Sequence, residues 1–276
     1  MTLAFKDDVR GDCHTLSLAG ELDVATAPEL QAAIVRLCEE GAREIVLDLH
    51  ELSFIDSSGL RLISTSPQVC AGHGCDFSLT RAQAPVQHLF DLTGVTGRLS
   101  FRGKAFAKRI ARRQPFATRV PPNRFPPGFE VSLDLNRDAP RSARNYVRDL
   151  LGAYGSDDVR NAVMLLTSEL VTPIVERSTA AELDIGELRV WLRDDVARVE
   201  LRVPSVLLRQ PPEHRGPRYD RILFDELADR WSIDDAEHTT CIWFEIDSSE
   251  SPRESRHPAS VSEGARSNGR SPEAAK

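Results

Sequence analysis

The sequence lacks the features that would place the protein in a membrane or outside the cell. No apolar run approaches the ~20 residues that a membrane-spanning helix needs. Residues 1–8 have no signal-peptide pattern. The five cysteines are odd in number and scattered, which is typical of reduced thiols and not of a disulfide framework. We therefore expect a soluble protein of the cytoplasm.

Acidic residues are missing from one stretch of the chain. Residues 102–129 carry eight basic side chains, no acidic one and several prolines, whereas both flanks are net acidic. A chain of 276 residues exceeds the usual size of one domain, and its 41% hydrophobic residues suffice for two cores. We expect an N-terminal domain, a basic proline-rich linker, a second domain and a disordered tail, at 1–103, 104–127, 128–247 and 248–276 respectively.

Predicted strands and helices alternate in the first domain. Residues 16–20 and 77–79 have the pattern of strands, and the apolar run 45–49 is typical of a buried strand. Apolar residues at helical spacing predict helices within 23–40 and around 86–90. This order indicates an α/β sheet with helices on its surface.

The Asp-Ser-Ser-Gly motif at 56–59 is the most informative short segment. It follows the buried strand and precedes spaced apolar residues, so it places two serine hydroxyls at a helix N-terminus. Asp and Ser cap free backbone N–H groups there, and the helix dipole favours negative charge. A hydroxyl in that place is well positioned to carry a phosphate. An ordinary N-cap is the plain alternative.

Three segments in the right order resemble the STAS domain of anti-sigma factor antagonists. They are Gly20-Glu21-Leu22-Asp23, Asp56-Ser57-Ser58-Gly59-Leu60 and Leu89-Phe90-Asp91-Leu92-Thr93-Gly94. The resemblance covers about residues 3–103. It implies a domain that binds an anti-sigma factor and thereby releases a sigma factor. It also implies a serine kinase that switches the domain off by phosphorylating Ser57, with Ser58 as second choice. The implied partner-binding residues are Asp23, Asp56, Ser57, Ser58, Gly59 and Leu60.

Charge explains how such a switch would work. A phosphate adds nearly two negative charges beside Asp56, and a partner surface packed on a neutral serine would then face like charge. The segment after the motif departs from the family. Pro67 follows three hydroxyl residues, and we expect it to end or kink the helix.

The second domain has strong helical periodicity over residues 139–177. Strand-like runs and one more helix follow, which together suggest an α/β sandwich. The strands are expected at 188–192, 199–203 and 240–246, and the helix at 223–231.

Residues 165–172, Leu-Leu-Thr-Ser-Glu-Leu-Val-Thr, resemble the N-box helix of GHKL-type ATPases, specifically of anti-sigma factor serine kinases. Residues 227–231 and 242–245 are similar to the closing helix and strand of that family. In these kinases the box glutamate acts as the base and an asparagine four residues later holds the magnesium of ATP. The resemblance therefore makes Glu169 a vestigial base, because Pro173 stands at the asparagine position.

The kinase-like features are incomplete in two further places. The expected Asp and glycines of the adenine site are missing around 202–206, and the expected glycine-rich lid around 216–220 has a single glycine. Pro173 offers no amide oxygen to a metal, and we expect it to kink the helix near Glu169. The second domain is therefore predicted to be a non-catalytic, kinase-like domain, and no cofactor is predicted. Nucleotide binding by this domain stays open from the sequence.

Two weaker signals in the sequence have plainer explanations. Cys70, His73 and Cys75 lie close together, but a structural zinc site needs four ligands and no second half of the motif is visible. No metal site is predicted. The basic linker has no aromatic-interleaved groove, so a solvated linker is preferred to a nucleic-acid contact.

Three functions stay open from the sequence. The first is an anti-sigma factor antagonist with a pseudokinase domain, which binds an anti-sigma factor/serine kinase in partner switching and regulates sigma-factor-dependent transcription. Its two domains can also contact each other. The second is a bifunctional enzyme whose C-terminal domain still phosphorylates serine with ATP. The third is a STAS interaction module unrelated to sigma factors, in which Ser57 is only a helix cap.

Overall fold

A computed structural model describes residues 3–102, 128–177, 185–193, 195–205, 219–236 and 238–248. The predicted linker at 104–127 and nearly all of the predicted tail at 248–276 lie outside these residues. Among the helices that the structure describes, none combines the length and the apolar character needed to cross a bilayer.

The N-terminal domain is a four-stranded sheet with helices. Its strands lie in the order β1-β2-β3-β4. The first pair is antiparallel and the other two are parallel. The elements are β1 Ala4–Arg10, β2 Cys13–Leu22, α1 Ala27–Glu39, β3 Glu44–Ile55, α2 Ser57–Gly72, β4 Asp76–Leu79 and α3 Ala84–Leu92, followed by a short 3-10 helix, Val95–Arg98.

The parallel pairs follow from the alternation of strands and helices. Helix α1 crosses from β2 to β3, and α2 crosses from β3 to β4, because a parallel connection needs a long crossover. The two helices pack against each other. Their apolar faces and the central strands form a core in which Leu30, Ile45, Leu47 and Ile63 are almost completely buried. The carboxyl end of β3 delivers the chain directly into α2.

The C-terminal domain is a second sheet, with five strands in the order β5-β6-β7-β9-β8. All neighbouring strands are antiparallel. The elements are β5 Phe129–Asp134, α4 Ala139–Leu151, α5 Asp157–Val175, β6 Ile185–Arg193, β7 Val196–Pro204, α6 Tyr219–Leu227, β8 Arg230–Asp235 and β9 Thr239–Asp247. Helix α5 packs on α4, on β7 and β9, and on α6. The described residues thus form a mixed α/β fold with two sheets.

Several elements differ from the sequence-based expectations. Strands β1, β5 and β8 were not predicted, and Trp231 lies in β8 and not at the end of a helix. The sequence predicted that Pro67 ends or kinks helix α2. The helix continues past Pro67 to Gly72, so the first of these two outcomes is wrong. Helix α5 likewise continues past Pro173.

Hydroxyl side chains accompany the proline in α2. Ser66 Oγ donates to the carbonyl oxygen of Leu62 at 2.8 Å. Thr65 Oγ1 donates to that of Arg61 at 2.9 Å. Pro67 lacks the N–H that would bond the carbonyl oxygen of Ile63, and the two hydroxyl bonds go to the neighbouring carbonyl groups of Arg61 and Leu62. Hydroxyl bonds of this kind are common where a helix bends.

Candidate functional site

Asp56 caps the N-terminus of α2. Its backbone N–H donates to the carbonyl oxygen of Leu22 at 3.2 Å, which fixes the exit from β3 against the end of β2. Its Oδ1 accepts from the N–H groups of Ser58 and Gly59, at 2.9 and 3.1 Å. This is the capping geometry that the sequence predicted for the motif. The Asp56 side chain bonds these two N–H groups and not the N–H of Ser57.

That N–H is taken by the C-terminal domain. Ser57 N–H donates to Oε1 of Glu169 on α5 at 2.8 Å. Both residues are buried, with Ser57 only 2% exposed. A carboxylate at this place is favoured by the free N–H and by the positive end of the helix dipole. The two residues that the sequence singled out in separate domains therefore lie in direct contact.

A second contact lies one turn further along α2. Glu176, just after α5, accepts at Oε1 from Arg61 Nη1 at 2.8 Å and from Ser58 Oγ at 3.3 Å. The side chains of Arg61 and Glu176 are 20% and 14% exposed. This pair is more shielded than an ordinary surface salt bridge, so it holds the start of α2 against the end of α5.

A row of three arginines on α4 forms the other half of the contact. Arg144 Nη2 lies 2.7 Å from Glu21 Oε2 and 2.7 Å from Asp23 Oδ2. Arg141 Nη2 contacts Asp23 at 3.0 Å, and Arg148 Nη2 contacts Glu21 at 3.3 Å. We call these three residues the arginine row. It brings the predicted Asp23 and the adjacent Glu21 into one charged cluster with the C-terminal domain.

Arg144 is the centre of this cluster. Its side chain is completely buried. Its Nη1 donates to Ser168 Oγ at 2.8 Å, and its guanidinium lies 4.1 Å from the ring centroid of Phe54. Burial alone would raise the pKa of Glu21, but the hydrogen bond and charge of Arg144 outweigh it and hold that pKa below its usual value. The cluster thus keeps Glu21 ionised in a buried place.

Asp56 has the opposite electrostatic character. Burial, and next the negative charge of Asp23, raise the pKa of Asp56 from 3.8 to about 6, although Arg144 acts against this. Its Oδ2 accepts from Ser168 Oγ at 3.2 Å. The capping carboxylate therefore lies at the junction of the two domains and titrates within a physiological range.

Replacing Asp56 by asparagine should remove a pH dependence of stability. Because the folded protein binds the Asp56 proton more tightly than the unfolded chain does, the free energy of unfolding of the wild type falls as pH rises from about 4 to about 6. Asn caps helices as well as Asp, so the variant should gain up to about 3 kcal/mol over the wild type across this range. Urea unfolding at stepped pH measures this difference. A difference that stays constant from pH 4 to 7 would contradict it.

The other predicted partner-binding residues lie inside the fold. Leu60 is fully buried. Gly59 is packed so closely that an added Cβ would lie 2.7 Å from the carbonyl oxygen of Leu22. These two residues therefore position the start of α2, while Asp23, Asp56, Ser57 and Ser58 contact the C-terminal domain.

Sequence reasoning missed the arginine row and Glu176. Arg141, Arg144 and Arg148 are spaced three and four residues apart, so they lie on one face of a predicted helix. Three positive charges on one helix face of an otherwise acidic domain indicate that this face contacts an acidic surface. Glu176 lies beyond the apolar stripe of α5 and had no such signal.

The structure also groups three thiols. The Sγ atoms of Cys38, Cys70 and Cys75 all lie within 4.8 Å of one another. Burial raises the pKa of Cys70 strongly and that of Cys75 to about 11. His73, which the sequence placed beside this pair, is not part of the group that the structure brings together.

Comparison with known proteins identifies the N-terminal domain. Residues 5–102 match the family model described as "Mlab, STAS domain". The anti-sigma-B factor antagonist of Staphylococcus epidermidis is 28% identical over 95 residues, covering 34% of this chain and 88% of that protein. The anti-sigma-B factor antagonist of Staphylococcus aureus strain NCTC 8325 / PS 47 is 26% identical over the same shares.

Solved structures with similarity include the phosphorylated form of the Bacillus cell fate determinant SpoIIAA. It is 23% identical and covers 37% of this chain and 93% of that one, with a TM-score of 0.31. A putative anti-sigma factor antagonist from Thermotoga maritima is 21% identical, with coverages of 36% and 86% and a TM-score of 0.34. On the family match and the sequence similarity, residues 5–102 of this chain are a STAS domain of the type found in anti-sigma factor antagonists.

Proposed function

We propose that the protein is a cytoplasmic anti-sigma factor antagonist whose partner-binding face is covered by its own C-terminal domain, and that Ser57 is the phosphorylated switch residue. The observation that carries this proposal is the 2.8 Å bond from Ser57 N–H to Glu169 Oε1. The same face has two competing occupants: the C-terminal domain of this chain, and an anti-sigma factor of the serine-kinase type.

The geometry supports an electrostatic switch at this contact. A phosphate on Ser57 would add nearly two negative charges directly beside the Glu169 carboxylate and close to Asp56. It would also compete with Glu169 for the N–H groups at the start of α2. Both effects favour separation of the domains, and neither requires the STAS domain to unfold. The same phosphate would repel an anti-sigma factor from the face.

The C-terminal domain acts in this proposal as a binding domain without kinase activity. Pro173 provides no amide oxygen for magnesium at the position where the GHKL resemblance implies an asparagine. The carboxylate of Glu169, the residue at the base position, is engaged by the backbone of α2. The phosphate on Ser57 must then come from another protein. Of the predicted lid at 216–220, residues 216–218 lie outside the described residues.

Ser57→Ala and Ser57→Asp test the switch. In a pulldown with a serine-kinase-type anti-sigma factor as bait, the Ala variant should be retained. The Asp variant should lose binding by at least about tenfold, because the added charge beside Asp56 would have to be buried against the partner in place of a neutral serine. The Ala variant is the matched neutral control at the same position. Equal retention of the two variants would contradict the proposal.

A second function is favoured by one observation. Glu169, the base in the GHKL resemblance, lies against the very serine that would accept phosphate. The alternative is therefore a bifunctional enzyme that phosphorylates Ser57 within its own chain. To distinguish the two functions, the full chain is incubated with magnesium and ATP, and mass spectrometry then shows whether the 54–62 peptide carries a phosphate. Phosphate gained without any added kinase would support the enzyme, and an unmodified peptide would support the binding regulator. A peptide that stays unmodified even with a cognate kinase added would leave Ser57 as a cap alone.

A further inference from the structure

Cys38 meets Cys70 and Cys75, which follow more than 30 residues later, in the core of the STAS domain. Cys38 is in the last turn of α1, Cys70 is in the last turns of α2, and Cys75 precedes β4. The Sγ atoms of Cys38 and Cys70 are 3.7 Å apart, and all three Sγ atoms lie within 4.8 Å of one another. All three side chains are free thiols.

The backbone holds this group in place. The N–H of Cys75 donates to the carbonyl oxygen of Cys70 at 3.0 Å, which closes the turn between the two cysteines. The packing of α1 against α2 supplies the third thiol. None of the three residues is more than 4% exposed. Cys38 and Cys70 therefore lie on packed helices, and Cys75 lies in the buried, hydrogen-bonded turn between α2 and β4.

The triangle of sulfurs has the size of a three-coordinate site. A thiolate–metal distance of about 2.3 Å places three ligating sulfurs about 3.5 Å apart around a pyramidal centre and about 4 Å apart around a planar one. The Cys38–Cys70 pair, at 3.7 Å, lies within this range, and the other two sulfur pairs are no more than 4.8 Å apart. Occupation would therefore require side-chain shifts of about 1 Å or less.

Charge selects the kind of occupant. Three thiolates around a monovalent soft ion carry a net charge of −2, and around a divalent ion a net charge of −1. Such a charge is costly in a site this deeply buried. A trivalent, thiophilic centre gives a neutral product. Zinc additionally needs a fourth ligand, and no histidine or carboxylate joins the three cysteines among the described residues.

We propose that Cys38, Cys70 and Cys75 form a binding site for a trivalent thiophilic metalloid of the arsenite or antimonite class. The reaction balances with neutral species: one arsenous acid molecule and three thiols give one arsenic tris-thiolate and three water molecules. Three S–H and three As–O bonds break, and three As–S and three O–H bonds form. No oxidant is needed. Local opening of α2 from α1 would admit the reagent.

Native mass spectrometry of the reduced full-length protein with arsenite tests this site. We expect one arsenic per chain, with a mass gain equal to one arsenic atom less three hydrogens. A two-thiol adduct would keep one hydroxyl and be heavier by one water. Cys70→Ala should abolish the tris-thiolate product. Cys13→Ala and Cys241→Ala are matched controls that should retain it, because these thiols lie outside the group.

X-ray absorption of the arsenic bound to the wild-type protein gives an answer that does not depend on the folding of any variant. Three sulfur neighbours and no oxygen neighbour are expected. The site is contradicted by no uptake, by a product that retains oxygen, or by equal uptake in Cys70→Ala. It is also contradicted if zinc binds to the group more tightly than arsenite. Because two ligands lie on helices that pack together, occupation should raise the thermal unfolding midpoint of the wild type and leave that of Cys70→Ala unchanged.

Discussion

Replacing Arg144 by methionine should release the C-terminal domain from the STAS domain. The methionine keeps an aliphatic stem over Phe54 but removes the charge that contacts Glu21 and Asp23 at 2.7 Å. Breaking a buried ion pair by removing one partner costs about 3–5 kcal/mol, because the remaining charges are left buried without compensation. The docking equilibrium should therefore fall by at least about 100-fold. Arg141 still contacts Asp23 and limits the loss at that carboxylate.

Hydrogen exchange of the full chain measures this release. The Ser57 N–H donates across the contact to Glu169, so its protection reports docking directly. Arg148→Met is the matched control, because its side chain is 51% exposed and its pair with Glu21 should contribute at most about 1 kcal/mol. The Arg144 variant should also capture more anti-sigma factor than the wild type. Unchanged protection of the 54–62 segment in the Arg144 variant would show that the arginine row does not hold the domains together.

Gly59→Ala should destabilise the STAS domain by about 2–3 kcal/mol. An added Cβ would lie 2.7 Å from both the carbonyl oxygen of Leu22 and Cγ1 of Ile55. The first of these is backbone, so β2 or the start of α2 must shift. The higher helix propensity of alanine returns only about 1 kcal/mol of that cost. A shift of the first turn of α2 would also displace the N–H of Ser57 from Glu169.

Gly72 provides the control for this substitution. It is the last residue of the same helix, and an added Cβ there has no heavy atom within 4 Å. Gly72→Ala should therefore leave stability unchanged or raise it by up to about 1 kcal/mol. Thermal and urea unfolding of both variants give the comparison. Equal effects of the two substitutions would mean that the first turn of α2 tolerates a shift.

The pattern of apolar residues predicted the central elements of the STAS domain but not its edge. Strand β3 and helix α1 have strong apolar signals because one or both of their faces are buried. Strand β1 is largely exposed, so it has no clear alternation that could indicate a strand. Strand β8 begins at Arg230 and is likewise exposed along much of its length. Exposed edge strands are stabilised mainly by backbone hydrogen bonds to the neighbouring strand. Their side chains therefore need not alternate between apolar and polar residues.

The local rule for proline was only partly useful at Pro67. It predicted an end or a kink of the helix there, but α2 continues to Gly72, and its packing on α1 supports the continuation. The capping of α2 by Asp56 was predictable because it depends on residues only two or three positions apart.

The contact between the domains could not be read from local pattern. Glu169 and Ser57 are 112 positions apart, and each was singled out for a different reason. Cys38 and Cys70 are 32 positions apart, so the sequence suggested only the nearer neighbour His73. Such pairings depend on how whole elements pack, and a single sequence carries no direct record of that packing.

The covalent connection between the two contacting faces changes how the protein responds to its own abundance. Two domains of one polypeptide meet at an effective concentration that is set by the chain between them, of the order of mM for a short tether. A partner in solution must compete with this docked domain. It occupies the face that carries Ser57 only when its own concentration is high, or its Kd low, compared with those of the tethered domain. The fraction of molecules with an open face is therefore independent of how much protein is made. The concentration of open molecules would rise in proportion to the amount of protein, while a change at the contact, such as the proposed phosphate on Ser57, would alter the open fraction itself.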